Sequence, residues 1–207
     1  MKSPPISKLV FASDNQGKIR EVRDIFSDTT ISIVPQSEFN ITSPEETGST
    51  FTDNALLKAR FAASASGLPA IADDSGISVD ALDGRPGVRS ARYAGETATD
   101  QQNVDKLLDE MTEVPDEERG AGFHCAAVLV FADDDAAPIC VEEVWRGRVL
   151  RERRGEGGFG YDPVFLDEQS GKTGAQMSRE EKNKVSHRGK AFRMLKDRLL
   201  QTQPLSQ

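Results

Sequence analysis

Ala70-Ile71-Ala72-Asp73-Asp74-Ser75-Gly76 drives an apolar run straight into two adjacent carboxylates and ends on a small, flexible pair. A short apolar run bounded by turn residues reads as a buried strand. The stretch therefore predicts a strand ending at Asp73-Asp74, a break, and a further strand over 77–79. Carboxylates at a strand end are natural ligands for a hard divalent cation, and one of them can take a proton from water. The same tetrapeptide, Asp-Asp-Ser-Gly, is also good turn composition, because Asp and Ser bond local backbone and Gly tolerates positive φ. Partners elsewhere in the chain have to decide between turn and site.

Upstream, residues 8–13 form an apolar strand, followed by Asp14-Asn15-Gln16-Gly17 and an amphipathic run with Ile19, Val22, Ile25 and Phe26 at helical spacing. A strand follows over 31–34, then a polar loop over 35–49 that carries Glu45 and Glu46. Thr50 can cap a helix through Asn54, Ala55, Leu56, Leu57, Ala59 and Phe61, which Gly67 and Pro69 stop. Downstream, residues 82–95 are rich in Gly, Pro and Arg and read as a surface segment. Thr99 or Asp100 opens a helix with Val104, Leu107, Leu108 and Met111, and the apolar runs 123–131 and 139–150 read as a hairpin around Asp133-Asp134-Asp135, a solvated turn. A glycine-rich loop spans 155–160 and a short strand 163–166. Ser178 with Glu181 fits a capping box, and Ser186 can cap a last helix bearing Ala191, Phe192, Met194, Leu195, Leu199 and Leu200. Strands alternate with helices early and cluster later, which predicts an α/β fold with a mixed sheet flanked by helices.

At 207 residues the chain is expected to be one domain, 1–207, with two lobes. Its 37% hydrophobic and 29% charged residues are ordinary for a globular protein, and its net charge of −8 argues against broad attraction to nucleic acid or anionic membranes. No stretch approaches the roughly 20 apolar residues of a spanning helix. Met1-Lys2-Ser3-Pro4-Pro5 opens no signal-peptide core, so a cytoplasmic protein is expected. Cys125 and Cys140 lack the spacing of a zinc or redox pair and are expected to be buried free thiols.

Three constellations can carry chemistry. Ser13-Asp14-Asn15-Gln16-Gly17-Lys18 joins a strand end to a helix start, where free amides, the helix dipole and a lysine favour an anion such as phosphate. The spacing is not that of the usual Gly-rich phosphate loop, and such junctions also serve purely structural roles. Gly155, Gly157 and Gly160 match dinucleotide-fingerprint spacing, but Pro163 opposes the helix that such a site needs. What remains is a loop carrying Phe159, Tyr161 and Asp162, whose rings either stack on a planar base or fold into the core. The third is the helical segment 178–188 with Lys182, Lys184, His187 and Arg188, a solvated charged face unless its end points into a site. His124 reads as a packed strand residue, which leaves no zinc set, and Ser75 lacks the glycine-flanked elbow of serine hydrolases.

In this order the segments resemble the inosine triphosphate pyrophosphatase family, which hydrolyses non-standard purine nucleoside triphosphates such as ITP, dITP and XTP to the monophosphate and pyrophosphate. The resemblance runs from Ala12-Ser13-Asp14-Asn15-Gln16-Gly17-Lys18 through Ser43-Pro44-Glu45-Glu46-Thr47-Gly48, residues 51–60, 72–76, Pro86-Gly87-Val88-Arg89-Ser90-Ala91-Arg92-Tyr93, 157–163 and Ser186-His187-Arg188-Gly189. It implies a long, curved mixed sheet with helices forming two lobes about a central cleft, and a homodimer. It further implies that Ser13, Asp14, Asn15, Gln16, Gly17 and Lys18 hold the triphosphate and that Glu45 and Asp74 bind Mg²⁺, Glu46 replacing Glu45 in a shifted alignment. Asp74 is then also the general base. Substrate contacts are implied from Ser75, Phe159, Gly160, Tyr161, Asp162, Lys182, His187 and Arg188.

The family's first loop commonly has Thr where this chain has Ser13, and Asp14 then brings a negative charge near the phosphates, so it must point away or meet the metal. On this reading oxygens from Glu45, Asp73 and Asp74 suit the cation, while Lys18, Lys182 and Arg188 offset the remaining charge. Water near Asp74 attacks the α-phosphorus. Donors from Arg188 or His187 favour an oxygen over an amine at the purine 6-position. Two alternatives stand beside it, a nucleotide-binding sensor without catalysis and a related pyrophosphatase acting on pyrimidine or modified nucleotides.

Overall fold

Strand β1 (Lys8–Phe11) lies between two parallel neighbours, β2 (Ser32–Pro35) and β3 (Ala70–Val79). The computed structural model describes residues 6–132 and 136–202; the expected turn at Asp133-Asp134-Asp135, the opening residues 1–5 and the tail 203–207 lie outside the described residues. The open sheet has the order β2-β1-β3-β4-β5-β6-β7, with β4 at Gly120–Val130, β5 at Ile139–Val149, β6 at Phe165–Asp167 and β7 at Lys172–Thr173. It is mixed, because β5–β6 and β6–β7 pair antiparallel. Among the described residues five helices flank it: α1 (Gln16–Phe26), α2 (Phe51–Ser66), α3 (Asp100–Glu110), α4 (Arg179–Val185) and α5 (His187–Thr202).

The chain divides into two compact units. The first comprises residues 1–74, 126–143 and 188–207. Its strands are buried on both faces, and alternation assigns each residue to one of them. Val10, Ala12, Ala70 and Ala72 meet Ala55, Ala59, Ala62 and Ala63 of α2, so small side chains line that interface and the helix comes close. On the other face the Phe11 ring meets Phe192 of α5 edge-on at 5.8 Å between centroids. Thr50 caps α2 by accepting from the Asp53 amide, and Gly67, at φ 67°, ends it in the left-handed conformation.

The second unit comprises residues 75–125 and 144–187. Its core joins Ile77 and Val79 to Val104, Leu107 and Met111 of α3, and to Phe123, Trp145, Tyr161 and Phe165. Thr99 opens α3 and Ser178 opens α4, each in a reciprocal capping box. Arg119, buried without a carboxylate partner among the described residues, donates to the carbonyls of Met111, Val149 and Leu150.

One expectation is corrected here. Residues 70–79 form a single strand, with no break at Asp73-Asp74-Ser75-Gly76. Both Asp side chains are engaged by helix residues rather than by local backbone, and Gly76 has no positive φ, so the ingredients of a turn are present but unused. The short strand expected over 163–166 is β6, at Phe165–Asp167. Both cysteines are free, Cys125 buried and Cys140 half-buried.

Candidate active site

The last residue of β3 paired with β1 is Ile71, opposite Phe11, so Asp73 and Asp74 extend past the carboxyl end of β1. Ligands in open α/β sheets gather at such carboxyl ends. Consecutive strand residues point to opposite faces, and the two carboxylates accordingly have separate partners. Asp73 meets Lys18 Nζ of α1 at 3.0 Å and accepts from Arg188 Nε and Nη2 of α5, both at 3.1 Å. Arg188 Nη1 reaches Glu21 Oε2 at 2.7 Å, which completes a buried chain of alternating charge, Lys18–Asp73–Arg188–Glu21. Its oxygens meet two cations, so Asp73 organises the charges on this face.

On the opposite face Asn54 Nδ2 donates to Asp74 Oδ2 at 3.0 Å, and Lys58 Nζ lies 3.4 Å from Asp74 Oδ1. Asn54 and Lys58 stand one turn apart on the alanine face of α2. Lys58 also meets Glu46 Oε1 at 2.6 Å. Burial lifts the Asp74 carboxyl above its ordinary value of 3.8; Lys58 and Lys18 oppose the rise and Glu46 adds to it. Burial likewise disfavours the Lys58 ammonium, yet Asp74, Glu46 and Asp73 more than offset this and raise its pKa. Two carboxylates from different segments thus converge on one cation. Two hard oxygen donors beside an anion loop suit magnesium, which commonly takes one or two carboxylates and completes its sphere with water and phosphate. Glu45 is exposed, whereas its neighbour Glu46 reaches Lys58. Among the described residues no group of three or more His, Cys, Asp or Glu side chains is arranged to hold a metal.

The anion loop starts its helix earlier than expected, at Gln16, with Asn15 as the cap: its Oδ1 accepts from the Lys18 amide at 3.1 Å. Ser13 Oγ accepts from the Asn15 amide. Asp14 turns to Gln36, whose Nε2 donates to Asp14 Oδ2 at 2.7 Å, so this carboxylate already has a partner. The amides of Gln16 and Gly17 open the first turn, where a helix favours anions.

In the second unit the loop after Gly157 is organised by Asp162. Its Oδ2 accepts from the Phe159 amide at 2.9 Å and meets Lys182 Nζ of α4 at 2.6 Å, a buried ion pair. The same ammonium sits 4.6 Å from the centroid of the Phe159 ring. Gly158 has φ +73°, and a Cβ there would come within 2.2 Å of Asp162 Oδ2, so the position requires glycine. The two rings of the loop take different fates. Tyr161 is 4% exposed and donates to the Ser90 carbonyl at 2.8 Å as part of the core, while Phe159 remains half-buried. Gly160 donates its amide to Asp100 Oδ2 at 2.7 Å. His187 stacks on Phe123 at 4.9 Å with 9° between planes, and Trp145 continues the stack. Ser75 is half-buried on β3.

Residues 9–198 match the family model described as the Ham1 family. The chain belongs to the Ham1 family. Among similar proteins, the dITP/XTP pyrophosphatase of Pectobacterium atrosepticum is 53% identical over 194 residues, covering 94% of this chain and 98% of that protein. The dITP/XTP pyrophosphatase of Escherichia coli K12 is 50% identical over the same shares of each chain. A solved HAM1 protein structure from Coxiella burnetii superposes with a TM-score of 0.87 at 44% identity, covering 95% of this chain and all of that one.

Within this Ham1 chain, sequence reasoning missed Glu21, Asn54 and Lys58. Each is a polar residue on the buried side of a helix: Glu21 among Ile19, Val22 and Ile25 of α1, and Asn54 with Lys58 among the alanines of α2. That spacing was the available signal, because buried charges persist only when paired.

Proposed function

We propose that this chain hydrolyses non-standard purine nucleoside triphosphates, dITP, XTP and ITP, to the nucleoside monophosphate and pyrophosphate. The dITP/XTP pyrophosphatase activity that names its relatives at 50% and 53% identity supports the reading. In the chain itself it rests on one group: Asp74, a buried carboxylate with a raised pKa, within β3 just past the carboxyl end of its parallel neighbour β1 and flanked by lysines. A base works best with a pKa drawn toward the working pH.

Asp74 accepts the proton of the water that attacks the α-phosphorus. Lys18, with the first-turn amides and the hydroxyl of Ser13, receives the polyphosphate. Lys58 keeps Asp74 oriented and opposes charge build-up. Asp74 and a carboxylate of the Glu45–Glu46 pair would hold Mg²⁺. That ion, when bound, neutralises phosphate charge and polarises the phosphoryl oxygens. Phe159 offers its ring to the base, with Asp162 and Lys182 fixing the loop; Ser75 and Gly160 complete the substrate contacts, while Tyr161, its ring held in the core, anchors the loop from within. His187 and Arg188 donate toward the purine 6-position: hypoxanthine and xanthine present an acceptor there, adenine an amine. A buried donor left unpaired costs about 1–3 kcal/mol, roughly ten- to a hundredfold in discrimination. Guanine shares the oxygen, so rejection of GTP needs a further contact at the 2-position. The protein acts as a homodimer.

The test is pyrophosphate release with Mg²⁺ across ITP, dITP, XTP, ATP, GTP, dUTP and dTTP. Preference for the first three is expected. Preference for pyrimidine nucleotides, or binding without release on every nucleotide, contradicts the reading.

A further inference from the structure

Helix α3 holds the glycine-rich loop at two points. Arg153 Nη2 donates to the Gln101 carbonyl at 3.2 Å and to Asp105 Oδ1 at 2.7 Å, and farther on the Gly160 amide donates to Asp100 Oδ2 at 2.7 Å. All three partners lie within the first two turns of α3, whose start is set by the Thr99–Gln102 capping box. Between the two points the backbone is permissive, with Gly158 and Gly160 at φ +73° and +59°. From within, the Ala175 carbonyl accepts from the Gly157 amide at 3.1 Å, and the Thr173 hydroxyl donates to the Arg154 carbonyl at 2.6 Å. Thr173 and Ala175 are buried, whereas Asp100, Gln101, Asp105 and Arg153 are exposed. An acid in the first turn of a helix ordinarily does no more than complement the dipole. Asp100 does more, because its carboxylate reaches an amide 60 residues away, in the loop that carries the Phe159 ring.

We propose that Asp100 is a positioning residue for base recognition: it holds Gly160 so that the neighbouring Phe159 ring is set for the purine before the nucleotide arrives. The Arg153–Asp105 pair steadies the start of the same loop. The inference rests on the function proposed above, in which Phe159 meets the base. A glycine-rich segment has many conformations to lose, and a contact that settles it in advance lowers the cost of binding. Substitutions at exposed positions ordinarily leave global stability nearly unchanged. The effect of losing Asp100 therefore falls on the loop and on the part of the substrate that the loop meets, the base, and not on the phosphate chain.

Three measurements on the full chain with Mg²⁺ test the assignment: pyrophosphate release from dITP, its inhibition by inorganic tripolyphosphate, which carries phosphates but no base, and amide hydrogen exchange across residues 157–161. Asp100→Ala is expected to raise KM for dITP about three- to tenfold, the range of one hydrogen bond, with kcat unchanged. Exchange in the loop should quicken, and the inhibition constant of tripolyphosphate should not move. Asp100→Asn removes the same charge but keeps an oxygen to accept from the Gly160 amide, so it should return KM and exchange close to wild type. Arg153→Ala should shift KM and exchange in the same direction by less, and it decides the matter if Asp100→Ala fails to fold. A wild-type KM in Asp100→Ala overturns the assignment, because the contact then does not serve binding. Equal weakening of dITP and tripolyphosphate overturns it too, since the loss is then a general loosening. No pyrophosphate release by the wild-type protein overturns the proposed function itself, and this assignment with it.

Discussion

Asp74 carries opposing influences that can be separated one side chain at a time. Burial raises its pKa, Lys58 lowers it and Glu46 raises it. In metal-free protein, carbon NMR of the Asp74 carboxyl should show a midpoint above 3.8; Glu46→Gln should move it down and Lys58→Met up. A midpoint at or below 3.8 in the wild-type chain would contradict the burial argument. The sign for stability follows from linkage: an acid with a folded pKa above its unfolded value favours the folded state most fully below the unfolded value, and that contribution is lost as pH rises through the folded one. Asp74 is therefore a stabilising group in acid and a cost at neutral pH, a sacrifice common where a carboxylate serves as a base. The sequence made Asp74 conspicuous. It did not disclose Lys58 as the partner, because a lysine on a helix looks solvated until the face it occupies is known.

At the scale of elements, the aromatic loop depends on the Asp162–Lys182 pair. Lys182→Met leaves Asp162 buried opposite no cation and should cost about 3–5 kcal/mol of stability by urea titration, because an unpaired buried charge is expensive. A loss under 1 kcal/mol would mean that the loop amides alone suffice. Thr50→Ala should remove about 1 kcal/mol by uncapping α2. The capped helices were readable in the chain, since Thr50, Thr99 and Ser178 each supply a side-chain acceptor at the right offset. Strand β3 was misread at its centre. Local composition favoured a turn at Asp73-Asp74-Ser75-Gly76, but tertiary ion pairs from α1, α2 and α5 take both carboxylates and the strand continues. The division of Asp73 and Asp74 between faces follows from the period-two rule once the strand is known to be unbroken, and that continuity was the missing fact.

For the whole molecule, a mixed sheet was legible from alternation early and strand clustering late, while its order was not: the short β7 gives no periodic signal in two residues. The ion pairs that assemble the first face span 55 and 115 residues of chain, distances that no local pattern encodes. The same long-range packing carries stability. Phe192→Ala removes the ring seated on Phe11 and should cost about 3–5 kcal/mol, read as a lowered urea midpoint. Activity should survive in the fraction that remains folded, because this ring supports the sheet from beneath rather than touching the reacting groups.

The most direct measurement is turnover of dITP and XTP by Asp74→Asn, with nucleotide affinity measured separately by calorimetry. A positioned base contributes about 10²–10⁴-fold, so pyrophosphate release should fall by that factor while binding stays within a few-fold of wild type. Undiminished release by Asp74→Asn would contradict the account at its centre.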